Sequence, residues 1–476
     1  MKTMMKRYTL VLALALLAAA TTTAQELNTA YFTKGYLFRH DMNPAFGNEK
    51  LYVSLPALGN LNLKLQGNLG VQDVLFKNPN ATGKPTVTFM HPSISYDEAM
   101  KGINDKNKLV FDMRIAILSF GFNAFNGYNT FEVNLRNNTG IHLPGDLFRM
   151  AKGLTNKSYN FDFGMQEQLY TEVALGHSRK INENLRVGAK AKLLFGAGLA
   201  QLDVKGLKAD FRADQNVWLM TSGDFKADVY MKGIQFEETE KEYKNRVDAA
   251  GNPQKYRYVD FGETDVDGTG VGGFGTAFDL GGEFQVMEGL KVSAAIMDLG
   301  FINWKNKTSL YQLNKTFVFS GFNDVAVKDE GNEGNTFDEK KDNYADQLSE
   351  FINVRASSES GSLSKWLAPT VNIAGEYEMP FYKKLTAGLL LQHHFNGDYS
   401  WSEARLSANV APIRQFSFSA SGALNSFGGS FGWVASVHHT ILSLFVGMDH
   451  TFVKTTKQSV PLNSKANINL GLNVSL

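Results

Sequence analysis

The chain has no cysteine among its 476 residues. That absence excludes disulfides, thiolate catalysis, cysteine-based metal centres and the lipid-bearing cysteine of a bacterial lipoprotein. Proline is scarce, at 11, so few positions lack the N–H that a strand ladder needs. The net charge is +1, which leaves no global field to attract nucleic acid or an acidic partner. Past residue 25 no stretch approaches the ~18 consecutive apolar residues of a spanning helix. No Ser, His and acid cluster can be assigned and no phosphate-binding loop occurs, so neither an enzyme nor a cofactor is expected.

What is present begins with an export signal. Lys2, Lys6 and Arg7 form a positive region, Tyr8 to Ala20 an apolar one, and Thr22-Thr23-Ala24 a small-residue cleavage site. Residues 1–24 therefore read as a secretory signal peptide, with Gln25 starting the mature chain. The mature chain is then either an exported soluble β-protein or one that spans a membrane with strands.

Hydrophobic period separates these readings. From Ala466 to the chain end, Ile468, Leu470, Leu472, Val474 and Leu476 share one face. Asn467, Asn469, Gly471, Asn473 and Ser475 share the other. That is alternation over the length a tilted membrane strand needs. Upstream, Ala404, Leu406, Ala408 and Val410 alternate with Arg405, Ser407 and Asn409. Leu185, Val187, Ala189, Ala191, Leu193 and Phe195 oppose Arg186, Gly188, Lys190 and Lys192. Gly-rich or polar turns such as Met287-Glu288-Gly289 and Asn396-Gly397-Asp398 punctuate the runs. Residues 366–476 read as a meander of about seven strands. The runs are longer than the five or six residues usual in soluble sheets. Only closure leaves no edge in lipid.

The expectation is an all-β protein: an antiparallel transmembrane β-barrel of about 14–16 strands in an outer membrane, with a few short helices. Residues 51–476 form the barrel, with long loops near 234–269 and 306–365, read as extracellular or pore-mouth segments. Helices are expected at Asn343 to Asn353 and Pro144 to Leu154. The Asn, Ser and Gly faces of the C-terminal strands predict a small, mostly neutral lumen. Lys190, Lys192 and Arg405 are lumen candidates by the same alternation, free to pair with acids of an internal segment.

No metal site is expected. His393-His394 and His438-His439 are strand neighbours that point to opposite faces, so neither pair can chelate one ion. Asp265-Val266-Asp267-Gly268 opens like a calcium loop but lacks the closing Glu.

Ordered motifs add a resemblance. They are Asp41-Met42-Asn43-Pro44-Ala45-Phe46, Tyr52-Val53-Ser54-Leu55-Pro56, Leu143-Pro144-Gly145-Asp146, Gly272-Gly273-Phe274-Gly275, and Asp298-Leu299-Gly300 with Trp304. In that order the chain resembles a family of Bacteroidota outer-membrane barrels related to the FadL-type (long-chain fatty-acid transporter) fold. The resemblance implies a plug-like N-terminal segment, residues 25–50, in which Asn43, Pro44 and Phe46 bind ligand or act as a hatch. It implies a FadL-like channel for a small or hydrophobic ligand, with outer-membrane lipid around it. The alternative is a non-transporting barrel that anchors or docks a secretion or surface-assembly machine, its long loops serving as docking surfaces.

Overall fold

The computed structural model describes residues 26–476 apart from 49, 79–85, 154–157, 261–263, 267–269, 313–314, 323–335, 358–359, 440, 451–464 and 476. The signal peptide read at residues 1–24, Gln25, much of the calcium-like loop and Leu476 lie outside the described residues.

Fourteen antiparallel strands close into a barrel. The first is broken into Tyr52–Ser54 and Leu61–Gly67. Both pieces pair with Lys106–Ala124 on one side and Ala466–Ser475 on the other, which closes the cylinder. The order then follows the chain through Gly127–Pro144, Phe163–Lys180, Leu185–Lys205, Gly273–Met287 and Leu290–Trp304. The eighth strand is again split, into Leu363–Trp366 and Thr370–Glu378. Six more hairpin-linked strands complete the ring, so residues 370–475 hold the seven strands that the alternation requires.

The alternation sets which side chains face out. Leu406 is 63% exposed while Arg405 beside it is 1% exposed. Leu175, Leu193, Phe278, Leu389, Leu424, Phe431 and Leu444 share the outer surface. An apolar belt of this extent is stable only against lipid, because each side chain left in water forgoes roughly 1.5–3 kcal/mol. The barrel therefore reads as membrane-spanning.

The two ends differ. At one end the connections are tight; Phe125 and Asn126 both take φ 56°, the left-handed geometry of a two-residue hairpin turn. At the other end the connections carry structure, including the two segments expected as long loops, 234–269 and 306–365. Glu238–Val247 pairs with Pro253–Val259, and Ser158–Asn160, Lys208–Arg212, Val217–Thr221 and Thr316–Phe319 form a small separate sheet. A helix spans Phe337–Ile352, starting earlier than the sequence predicts. Thr336 caps it, and Glu339 returns the bond to the Thr336 N–H. The second expected helix forms at Gly145–Lys152, within the predicted Pro144–Leu154, and a third, short one spans Tyr96–Met100.

Candidate functional site: the occupied lumen

Residues 26–46 lie inside the barrel and are almost entirely buried. The stretch has no ladder to the wall. It makes two short 3-10 turns, Asn28–Ala30 and Arg39–Asp41, and is held by side chains. The N–H groups of Asn28 and Thr29 donate to Asp449 at 2.8 and 2.7 Å. The hydroxyls of Thr33 and Ser419 bond at 2.7 Å. Tyr31 bonds Ser293, and the Asn372 amide donates to the Met42 carbonyl. Leu27, Tyr31, Tyr36, Phe38 and Phe46 pack with Tyr52, Leu390, Val434 and Phe445 of the wall into an apolar core within the lumen.

Glycines of the wall make the close approach possible. A Cβ on Gly188 would stand 2.1 Å from the Pro44 carbonyl oxygen, and one on Gly281 would stand 2.0 Å from Asn43 Oδ1. A Cβ on Gly388 would meet the Phe32 ring at 2.2 Å. These glycines hold inward positions where any side chain would collide with the segment.

On the opposite wall the segment meets charge. Lys190 Nζ lies 2.9 Å from Asp41 and 2.9 Å from Glu132. Arg114 bonds Asp41 and Glu132 and also reaches Glu26. Lys192 bonds Asp279 and Asp298, and Arg136 bridges Glu172 and Asp298. His40 completes the cluster against Glu132. Buried charges persist only when paired in this way, since removing one partner typically costs about 3–5 kcal/mol.

Among the described residues, His40, Asp41 and Glu132 bring three ligand atoms within 4.8 Å of one another. Lys190 and Arg114 already occupy both carboxylates, which makes the group an ion-pair cluster.

The expected small, neutral lumen is therefore corrected. Ser407, Asn409, Ser417, Ser419, Ser421 and Ser436 fit it. The earlier strands do not, because their inward faces carry paired acids and bases whose partners lie on neighbouring strands or on residues 26–46. Of the residues singled out in the sequence, Asn43 donates to the Gly282 and Ala294 carbonyls. Pro44 abuts Gly188, and Phe46 lies under the Arg39 guanidinium at 4.2 Å. Arg405 bonds Glu403 and the Thr29 hydroxyl. Lys192 does not meet Asn43, Pro44 or Phe46; its partners all belong to the wall. The acids Glu132 and Glu172 carry no signal in the sequence beyond their place in alternating runs, and Asp298 stands there only as part of a motif, without a role in the lumen.

Above the segment, toward the structured end, a chamber of about 50 Å³ is lined by Asp112, Arg114, Arg136, Gln168, Lys192 and Asp298, among others. A wider cleft of about 510 Å³ lies beyond it, and Leu367 borders both. The turn Gly397–Tyr399 reaches over the mouth. Tyr399 packs on Gly140 and bonds His142, and Lys106 holds the Asp398 carboxyl below the usual carboxylate range.

The sequence itself supplies a match to a family model. The model, described as a family of unknown function, DUF5723, matches residues 44–449. The chain belongs to that family. No curated protein matches it. Solved structures similar to this DUF5723 barrel include the toluene transporter TbuX of Ralstonia pickettii, at 8% identity and TM-score 0.40, covering 91% of each chain. The toluene transporter TodX of Pseudomonas putida is similar at 8% identity and TM-score 0.39, covering 95% of this chain and 94% of its own. A FadL homologue of Pseudomonas aeruginosa is similar at 10% identity and TM-score 0.35, covering 95% and 97%. The barrel of the DUF5723 chain rests on its own strand pairing, independently of these likenesses.

Proposed function

We propose that this DUF5723 barrel is an outer-membrane channel for a small solute, closed by residues 26–46 acting as a plug. One observation carries the reading: the lumen is filled by a segment held through side chains and glycine contacts alone. Such a segment can leave without breaking any strand ladder of the wall. Asn43 and Pro44 then act as seating residues against Gly281 and Gly188, and Lys190 and Arg114 as the wall's grip on Asp41. The transporters named above carry toluene by their descriptions. This lumen offers charged and amide groups instead, so hydrocarbon specificity does not transfer to it.

The cysteine-free chain allows a direct test. The Thr29 and Ser421 hydroxyls lie 2.8 Å apart, so T29C with S421C places two sulfurs within bonding reach. In planar bilayers the oxidised variant should stay closed and regain wild-type openings on reduction. A variant lacking residues 25–48 should leak small solutes from liposomes. Equal conductance in oxidised, reduced and shortened forms would remove the plug.

A further inference from the structure

We propose that the chamber and the cleft above it bind a small neutral polyhydroxylated solute, a sugar or polyol, with Asp112 and Gln168 as its contact residues. The inference rests on the channel reading and names its solute. Asp112 and Gln168 are 5% and 3% exposed, and both line the chamber. Asp112 accepts from Asn138 through Oδ1, but its Oδ2 has no hydrogen-bond partner among the described residues. Gln168 Nε2 likewise has none. A buried acceptor and a buried donor thus face one small space, and a ligand that satisfies both must carry hydroxyl-like groups.

Charge narrows the class. Arg114, Arg136 and Lys192 of the chamber are matched by acids within bonding distance, so among its described lining residues these three offer no spare charge to an anionic ligand, and Lys365 of the cleft is engaged by the neutral Gln166. A hydrocarbon would leave both unmet groups buried and desolvated. The cleft continues the chemistry: Lys365 donates to Gln166, and Gln201, Asp203, Asn396 and His142 stand nearby. Donors and acceptors interspersed with Trp366, Leu367 and Phe395 around about 510 Å³ suit a monosaccharide-sized guest, which presents both hydroxyls and C–H faces.

Equilibrium dialysis of the detergent-solubilised full chain tests this with radiolabelled glucose, toluene and glycine. Glucose should bind saturably. Q168M and D112N should each weaken binding tenfold or more while keeping the heat-modifiable gel mobility of a closed barrel. D112A serves as the second variant if D112N fails that check, and Q168A if Q168M does. Saturable toluene or glycine binding without glucose binding overturns the proposal, as does glucose affinity unmoved in both folded variants. The T29C/S421C conductance test reads the channel separately. Openings without glucose binding would retain the channel and discard the sugar.

Discussion

At the scale of the residue, the lumen is governed by what cannot be placed there. Gly188 has no room for a Cβ because the obstructing atoms are backbone, the Pro44 carbonyl and the Ala45 nitrogen. Rotamer changes cannot clear backbone, so a side chain at that position must shift the segment itself. G188V is expected to unseat residues 26–46 while the outer wall still closes. Limited proteolysis should then cut near Pro44 at least tenfold faster than in the unaltered chain, with heat-modifiable mobility retained. An unchanged cutting rate would mean that the segment does not depend on this contact. Gly388 presents a softer case, because the Phe32 ring in its way can rotate.

At the scale of the element, strands and turns were more legible than charge. The inward and outward faces of Trp401–Ile413 can be read from Ala404 to Asn409, since the period follows directly from the pleat. The helix Phe337–Ile352 was legible in part. Its amphipathic C-terminal half was recognised, while its start was set by a capping box at Thr336 and Glu339 that precedes the apolar pattern. T336A should cost about 1 kcal/mol of local helix stability. Hydrogen exchange should show it as faster exchange at Glu339, whose N–H bonds the Thr336 hydroxyl, with no change in the barrel strands. The ion cluster is legible on its basic side alone, where alternation turns Lys190 and Lys192 inward and leaves them open to acids of an internal segment; which acids they meet is not, for a physical reason. Glu132, Lys190 and Asp41 stand far apart in sequence and become neighbours only through strand register and the return of the N-terminal segment into the barrel. A single sequence fixes which face a strand residue takes, and pairing fixes whom it meets.

At the scale of the whole molecule, the two surfaces of one wall obey opposite rules. Outside, Leu406 faces lipid; inside, Arg405 is sheathed in acids and hydroxyls. L406R is expected to destabilise the barrel by about 2–4 kcal/mol, the penalty for arginine near the bilayer midplane. S407T, one residue along and facing in, should change stability far less. Urea unfolding in lipid vesicles compares the two, and equal effects would contradict the lipid-facing assignment of Leu406. The strands Lys106–Ala124, Gly127–Pro144, Phe163–Lys180 and Leu185–Lys205 run 19, 18, 18 and 21 residues, well past the 9–11 of a bare crossing. The wall on that side therefore rises beyond the membrane and carries the chamber's mouth with it.

The seam where the cylinder shuts has a bearing on how the molecule is made. Tyr52 pairs with Ser475, so the wall cannot become continuous until nearly the whole chain has been laid down. Residues 26–46 run almost directly into the strand that makes this seam. They can be swept inside as the sheet curls, and no threading through a finished ring is needed. Folding would then be ordered in time, with filling and sealing as a single late event that joins the two most distant parts of the chain.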